Sequence, residues 1–218
     1  MENPRLADEL MLLSLAPSGQ VWAPTGLDFA LAGGVLLDLA LAERIDVVDG
    51  RPTVIDARHR GDSVLDEAVD AIAAHRRKTK AWVTRLSRGL RKRVLARLAH
   101  DGAVRVETAR LLGIIPTVRY PVTDRALLAG LDGRVATAVA GTGPVDPRTA
   151  ALCSLIVSIG LEKRLFAGQP IKPIRKRLNE IAQGDWAGEA VRAAVRDVQA
   201  AIATTAAAAA AAGAAGSS

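Results

Sequence analysis

The sequence predicts a mainly α protein: a single compact helical domain with a buried central helix and short β-hairpins. Three observations predict it. Half of the 218 residues are hydrophobic, yet the aromatics are only three Trp, two Phe and one Tyr. Ala, Leu, Val and Ile must therefore fill the core, which suits helices packed closely on small residues. Residues 27–44 are apolar nearly all round, the mark of a helix enclosed by others and not lying on a surface. Two short segments, 45–55 and 111–122, carry hairpin signals.

Residues 6–13 place Leu6, Leu10 and Leu13 on one face, a short amphipathic helix. Ala16, Pro17, Ser18 and Gly19 are turn residues, followed by Val21 and Trp22 as a short extended piece. The apolar helix 27–44 comes next. Val47 and Val48, the Asp49-Gly50 turn, then Thr53, Val54 and Ile55 read as a hairpin. Ser63 can cap a helix running to about residue 75, with Leu65, Val69 and Ile72 inward. A second helix holds Trp82 and Leu86, and a third spans residues 88–100, stopped by Asp101-Gly102. Val104 to Val106 and the apolar run LLGIIPTVRYPV (111–122) form the second hairpin. Asp146-Pro147 opens an apolar helix through residue 161. A basic amphipathic helix covers 173–181, Gly184-Asp185 breaks the chain, and a last helix begins near Trp186. Residues 1–205 form the domain, and 206–218, rich in Ala, Gly and Ser, a flexible tail.

Cys153 is the only cysteine, which excludes an intramolecular disulfide and a Cys-based zinc site and fits a reducing compartment. The longest internal apolar runs, nine residues at 29–37 and thirteen at 149–161, fall short of the about 18 a spanning helix needs. MENPRLADEL lacks the basic then apolar pattern of a signal peptide. The expectation is a soluble cytoplasmic chain. His59, His75 and His100 are scattered, and Gly33-Gly34 and Gly141-Thr142-Gly143 lack the context of a phosphate loop. Gly33-Gly34 instead suits close backbone packing. No nucleophile elbow occurs, and Cys153 sits in an apolar helix where a thiol is inert. No catalytic residue, metal site or cofactor is expected.

Charge is uneven. The chain carries 29 Lys and Arg against 23 Asp and Glu, net +6. Residues 71–100 hold ten basic residues and no acid, leaving 19 basic and 23 acidic residues elsewhere, net −4. One segment therefore carries the basic character, which suits a polyanionic partner. On a helical wheel Leu90, Val94, Leu95 and Leu98 share one sector. Arg88 and Lys92 flank it, Arg93 and Arg97 point away, and Arg91 falls inside it. A guanidinium there snorkels, pairs with an acid such as Asp38, or lines a polar pocket. In the last case Arg88, one turn earlier, joins it, and two arginines a turn apart suit a phosphate.

The chain resembles the Golgi phosphoprotein family, phosphatidylinositol 4-phosphate effectors of Golgi membranes that also have bacterial relatives. The markers are LADELMLLSL, Trp22 followed by LAGGVLLDLALAERI, RGLRKRVLARLAHDG, the 111–122 hairpin and RTAALCSLIVSIGLEKRLF, in order from about residue 6 to 202. The Ala- and Arg-rich composition suggests a bacterial member. The resemblance implies a helical domain, peripheral membrane association and recognition of an anionic lipid head group. The family's head-group tryptophan and its two arginines at i, i+3 match Trp22, Arg88 and Arg91. Where the family has an arginine in the first buried helix, the alignment puts Ala32, which implies weaker selectivity for phosphatidylinositol 4-phosphate.

The leading expectation is a non-catalytic, peripherally membrane-associated protein that binds anionic phospholipid. The apolar hairpin, with Leu111, Leu112, Ile114 and Ile115 at its tip, supplies a membrane or homo-oligomer contact. The alternative is a winged-helix-like nucleic-acid-binding protein, with 88–100 as recognition helix and 111–122 as wing. Core positions interrupt that helix's arginines and the wing tip is apolar, which weighs against it.

Overall fold

A computed structural model of the chain describes residues 5–111, 115–141, 143, 145–184 and 188–215. The helices are α1 (Leu6–Leu13), α2 (Leu27–Leu41), α3 (Ser63–Ala74), α4 (Thr79–Leu86), α5 (Leu90–His100), α6 (Arg125–Ala140), α7 (Pro147–Ser158), α8 (Glu162–Leu165), α9 (Ile171–Gln183) and α10 (Glu189–Ala215). Two antiparallel pairs interrupt them: β1 (Ile45–Val48) with β2 (Arg51–Val54), and β3 (Glu107–Leu111) with β4 (Ile115–Arg119). The mainly α expectation, with a buried central helix and two hairpins, holds.

Helix α2 is the centre. It packs against α1, α3, α4, α5, α7 and α10. From Ala30 to Ala40 every residue is buried, so its near-uniform apolarity reflects neighbours on all sides. Gly33 and Gly34 let those neighbours approach. A methyl on Gly33 would lie 2.7 Å from Val198 and 3.0 Å from Ile202 of α10, and one on Gly34 3.0 Å from the Ala7 backbone nitrogen of α1.

Local signals place most ends. Asp49 (φ 52°) and Gly50 (φ 68°) form the left-handed pair of a tight hairpin turn, and Val48 pairs with Arg51 across it. Asp146 accepts from the Thr149 backbone N–H and Pro147 follows as the first helical residue of α7. Helix α3 is capped by Asp62, which accepts from the Val64 and Leu65 N–H groups, and not by Ser63. Helix α2 stops at Leu41, short of residue 44. Helix α5 starts at Leu90, not Arg88, because Gly89 at φ 72° leaves Ser87 to Gly89 as a turn. Helix α6 is an element the sequence reading passed over: only Leu131, Val135 and Ala138 are buried, a stripe too narrow to stand out. Helix α9 starts at Ile171, and α10 continues through Ala215 with no change of element at residue 206. Trp186 lies outside the described residues. Among the described residues no helix is long and apolar enough to cross a membrane.

Candidate functional site

The start of α2, the turn between α4 and α5, and the far end of α10 enclose a cleft of about 560 Å³, lined by Pro24, Gly26, Asp28, Arg88, Arg91 and Ala209 among others. Two helices begin at its wall, α2 at Gly26 (φ 136°) and α5 at Gly89, and neither start is capped by a side chain. Uncapped first-turn N–H groups carry partial positive charge, so both starts favour an anion. Gly89 is demanded by its backbone and not by space, since nothing lies within 4 Å of where its Cβ would be. Gly26 also faces the side, where a methyl would come 3.3 Å from Ala206.

Both expected arginines line this cleft, although Arg88 reaches it from the turn and not from a helical face. Arg88 is exposed, and its side chain has no hydrogen-bond or ion-pair partner among the described residues. Arg91 is half-buried and donates from Nε to Asp28 Oδ1 at 2.7 Å. Of the alternatives for Arg91, an acid pair and a polar pocket are both realised. The acid is Asp28 and not Asp38, which receives the Leu6 N–H at 2.9 Å and Arg148 Nη1 at 3.0 Å.

The remaining α5 arginines are committed elsewhere. Arg93 contacts Glu67 at 2.8 Å on the surface. Arg97, expected to point to solvent, is largely buried and pairs with Asp8 of α1. On α4, Arg85 stands 6.0 Å from the Trp82 ring centroid. A helix whose arginines answer to Asp28, Glu67 and Asp8 presents little free charge to a duplex.

Trp22 is half-buried, packs against the core and adjoins Ala23 of the cleft wall without lining the cleft itself. Ala32 is fully buried in the core, so the departure from the family pattern assigned to it does not lie on the cleft surface. The backbones of Leu111 and Ile115 pair at the end of the β3–β4 ladder. Their side chains, and Leu112 and Ile114 entirely, lie outside the described residues. Lower on the hairpin, Val106 and Val118 are 54% and 51% exposed, and the pairing of Thr108 with Val118 puts them on one face.

Burial pushes the Cys153 thiol up to about 12. His59 pairs with Asp70 at 3.0 Å on the surface. Among the described residues no group of His, Cys, Asp and Glu could hold a metal. Sequence reasoning missed Asp28, because its partner is 63 residues away. It also missed a buried charge cluster in which Glu9, fully enclosed, meets Arg134 Nη2 at 2.7 Å and Arg148 Nε at 3.2 Å. No local pattern marks either.

A comparison with curated proteins finds no match. The buried α2 with its paired glycines, the basic turn before α5 and the β3–β4 hairpin all fall within residues 6–198, which match the family described as Golgi phosphoprotein 3 (GPP34), and the chain belongs to that family.

Proposed function

We propose that the protein is a non-catalytic peripheral membrane protein that binds the phosphorylated head group of an anionic lipid, phosphatidylinositol 4-phosphate or a bacterial anionic lipid, in the cleft between the α2 start and the α4–α5 turn. The observation that carries the reading is Arg88, an arginine without a side-chain partner among the described residues, beside Arg91 and two helix starts with no side-chain cap. Guanidinium groups recognise phosphate by paired hydrogen bonds, and helix starts add fixed positive potential.

Diffuse attraction alone falls short. Four basic residues facing a bilayer at about 1 kcal/mol each give roughly 4 kcal/mol, a binding constant near 10³. Head-group contacts must supply the remainder, helped by insertion of the 111–122 hairpin, whose alternative role is a homo-oligomer contact. The exposed Val106 and Val118 support an apolar surface there.

Flotation with anionic against neutral liposomes tests this. Arg88→Ala with Arg91→Ala is expected to weaken anionic binding at least about a hundredfold, since two charge-assisted hydrogen bonds contribute about 1.5–3 kcal/mol each. Arg93→Ala, outside the cleft, is expected to cost no more than about fivefold. Equal losses from the two would mean that a charged face, and not a pocket, binds. Leu112→Asp with Ile114→Asp, in the same assay, reads the hairpin's share. The duplex-binding alternative predicts a DNA mobility shift at matched salt, and the internal pairing of Arg93 and Arg97 disfavours it.

A further inference from the structure

We propose that Asp28 sets how many phosphoryl groups the cleft accepts: as a built-in counter-ion to Arg91, it confines the cleft to a single phosphomonoester. The inference rests on the head-group reading above. Asp28 is the second residue of α2, and its side chain and that of Arg91 remain 43% and 33% exposed while paired. Such an exposed pair contributes little to folding. In a cleft otherwise built for anions, a carboxylate also opposes the ligand. Its effect therefore falls chiefly on what the cleft binds.

The geometry gives the division of labour. Asp28 takes the Nε edge of Arg91, and the two terminal nitrogens make no hydrogen bond to the described residues. They remain able to hold one phosphate together with Arg88. Two guanidinium groups less one carboxylate, with about half a positive charge from each helix start, leave about two positive charges. A phosphomonoester carries about −1.5 to −2 at neutral pH, which matches. Among the described residues that line the cleft no third basic side chain is left for a second phosphoryl group on the same ring, and the Asp28 carboxylate repels it.

Titration calorimetry with the deacylated head groups, glycerophosphoinositol 4-phosphate and its 4,5-bisphosphate, tests the proposal on the full chain. In the unaltered protein the second phosphoryl is expected to tighten binding no more than about threefold. In Asp28→Asn the bisphosphate is expected to gain about tenfold over the monophosphate, the size of one unpaired partly screened charge. Asp28→Ser repeats the measurement without the amide. Unaltered protein that binds the monophosphate, with both variants improving the two ligands by the same factor or not at all, overturns the role of Asp28 and leaves the head-group reading intact. Folded, unaltered protein that binds neither head group overturns the phosphoinositide form of that reading and this inference with it. Loss of the fold in both variants makes Asp28 a structural residue and also overturns the proposal.

Discussion

Arg88, Arg91 and Arg97 are the same residue type on one ten-residue stretch, yet their surroundings give them three different states. Arg97 is held against buried Asp8, Arg91 shares itself between Asp28 and the cleft, and Arg88 is unpartnered among the described residues. A wheel orders directions around one axis but carries no information on which acid another helix brings alongside. Ala32 makes the same point in reverse. It is enclosed at 0% exposure, so an arginine there would be an unpaired buried charge. Ala32→Arg is expected to lose several kcal/mol of stability and not to gain affinity for phosphatidylinositol 4-phosphate. Thermal melting reads this directly. A variant that melts near the unaltered temperature would show that position 32 reaches solvent.

Among the elements, the glycines of α2 and α6 separate packing from propensity. Alanine is the better helix former by about 0.8–1.0 kcal/mol. At Gly130 of α6 a Cβ would meet nothing within 4 Å, so Gly130→Ala is expected to stabilise by about that amount. At Gly34 the new methyl would press on the α1 backbone at 3.0–3.3 Å, which cannot swing aside as a side chain can. Gly34→Ala is therefore expected to destabilise by about 1–3 kcal/mol despite better propensity. Urea unfolding of the two variants gives opposite signs if the α1–α2 approach is as close as described, and the same sign if it is not. The α4–α5 break follows the same logic: Gly89, at positive φ, immediately precedes α5 and leaves Arg88 in the turn between the two helices.

At the scale of the whole molecule, stability rests partly on a buried charge cluster joining α1, α2, α6 and α7. Burial raises the Asp38 carboxyl to about 6, against the opposing pull of Arg148 and the Leu6 N–H. The folded state thus holds a proton that the unfolded chain has released once pH exceeds about 4. Stability from this group consequently falls as pH rises from about 4 to 6 and is level above, a change of about 3 kcal/mol for two units of displacement. Asp56, Asp66 and Asp146 act oppositely, since hydrogen bonds and neighbouring charge hold each below the usual carboxylate range. Their loss belongs to more acid pH. Comparing Asp38→Asn with the unaltered protein by denaturant unfolding at pH 4 and pH 7 isolates the group. The variant is expected to gain about 3 kcal/mol relative to the unaltered chain over that interval. A constant difference would place the Asp38 charge in solvent.

The sequence by itself determined the elements whose signals are local: α2 by its near-uniform apolarity, the β1–β2 turn by Asp49-Gly50, the α7 start by Asp146-Pro147, and the basic segment by its lack of acids. It also carried the family, because the order of those segments is itself a pattern along the chain. Tertiary structure alone decided which charges neutralise one another, that Ala32 faces inward, that α6 fills one side with a narrow stripe, and that Arg88, Arg91 and Asp28 meet at two helix starts. The physical reason is range. Capping, turn conformation and hydrophobic periodicity act over a few residues, whereas the Arg91–Asp28 contact joins positions 63 apart. Such a contact exists only once packing has chosen which helix faces which.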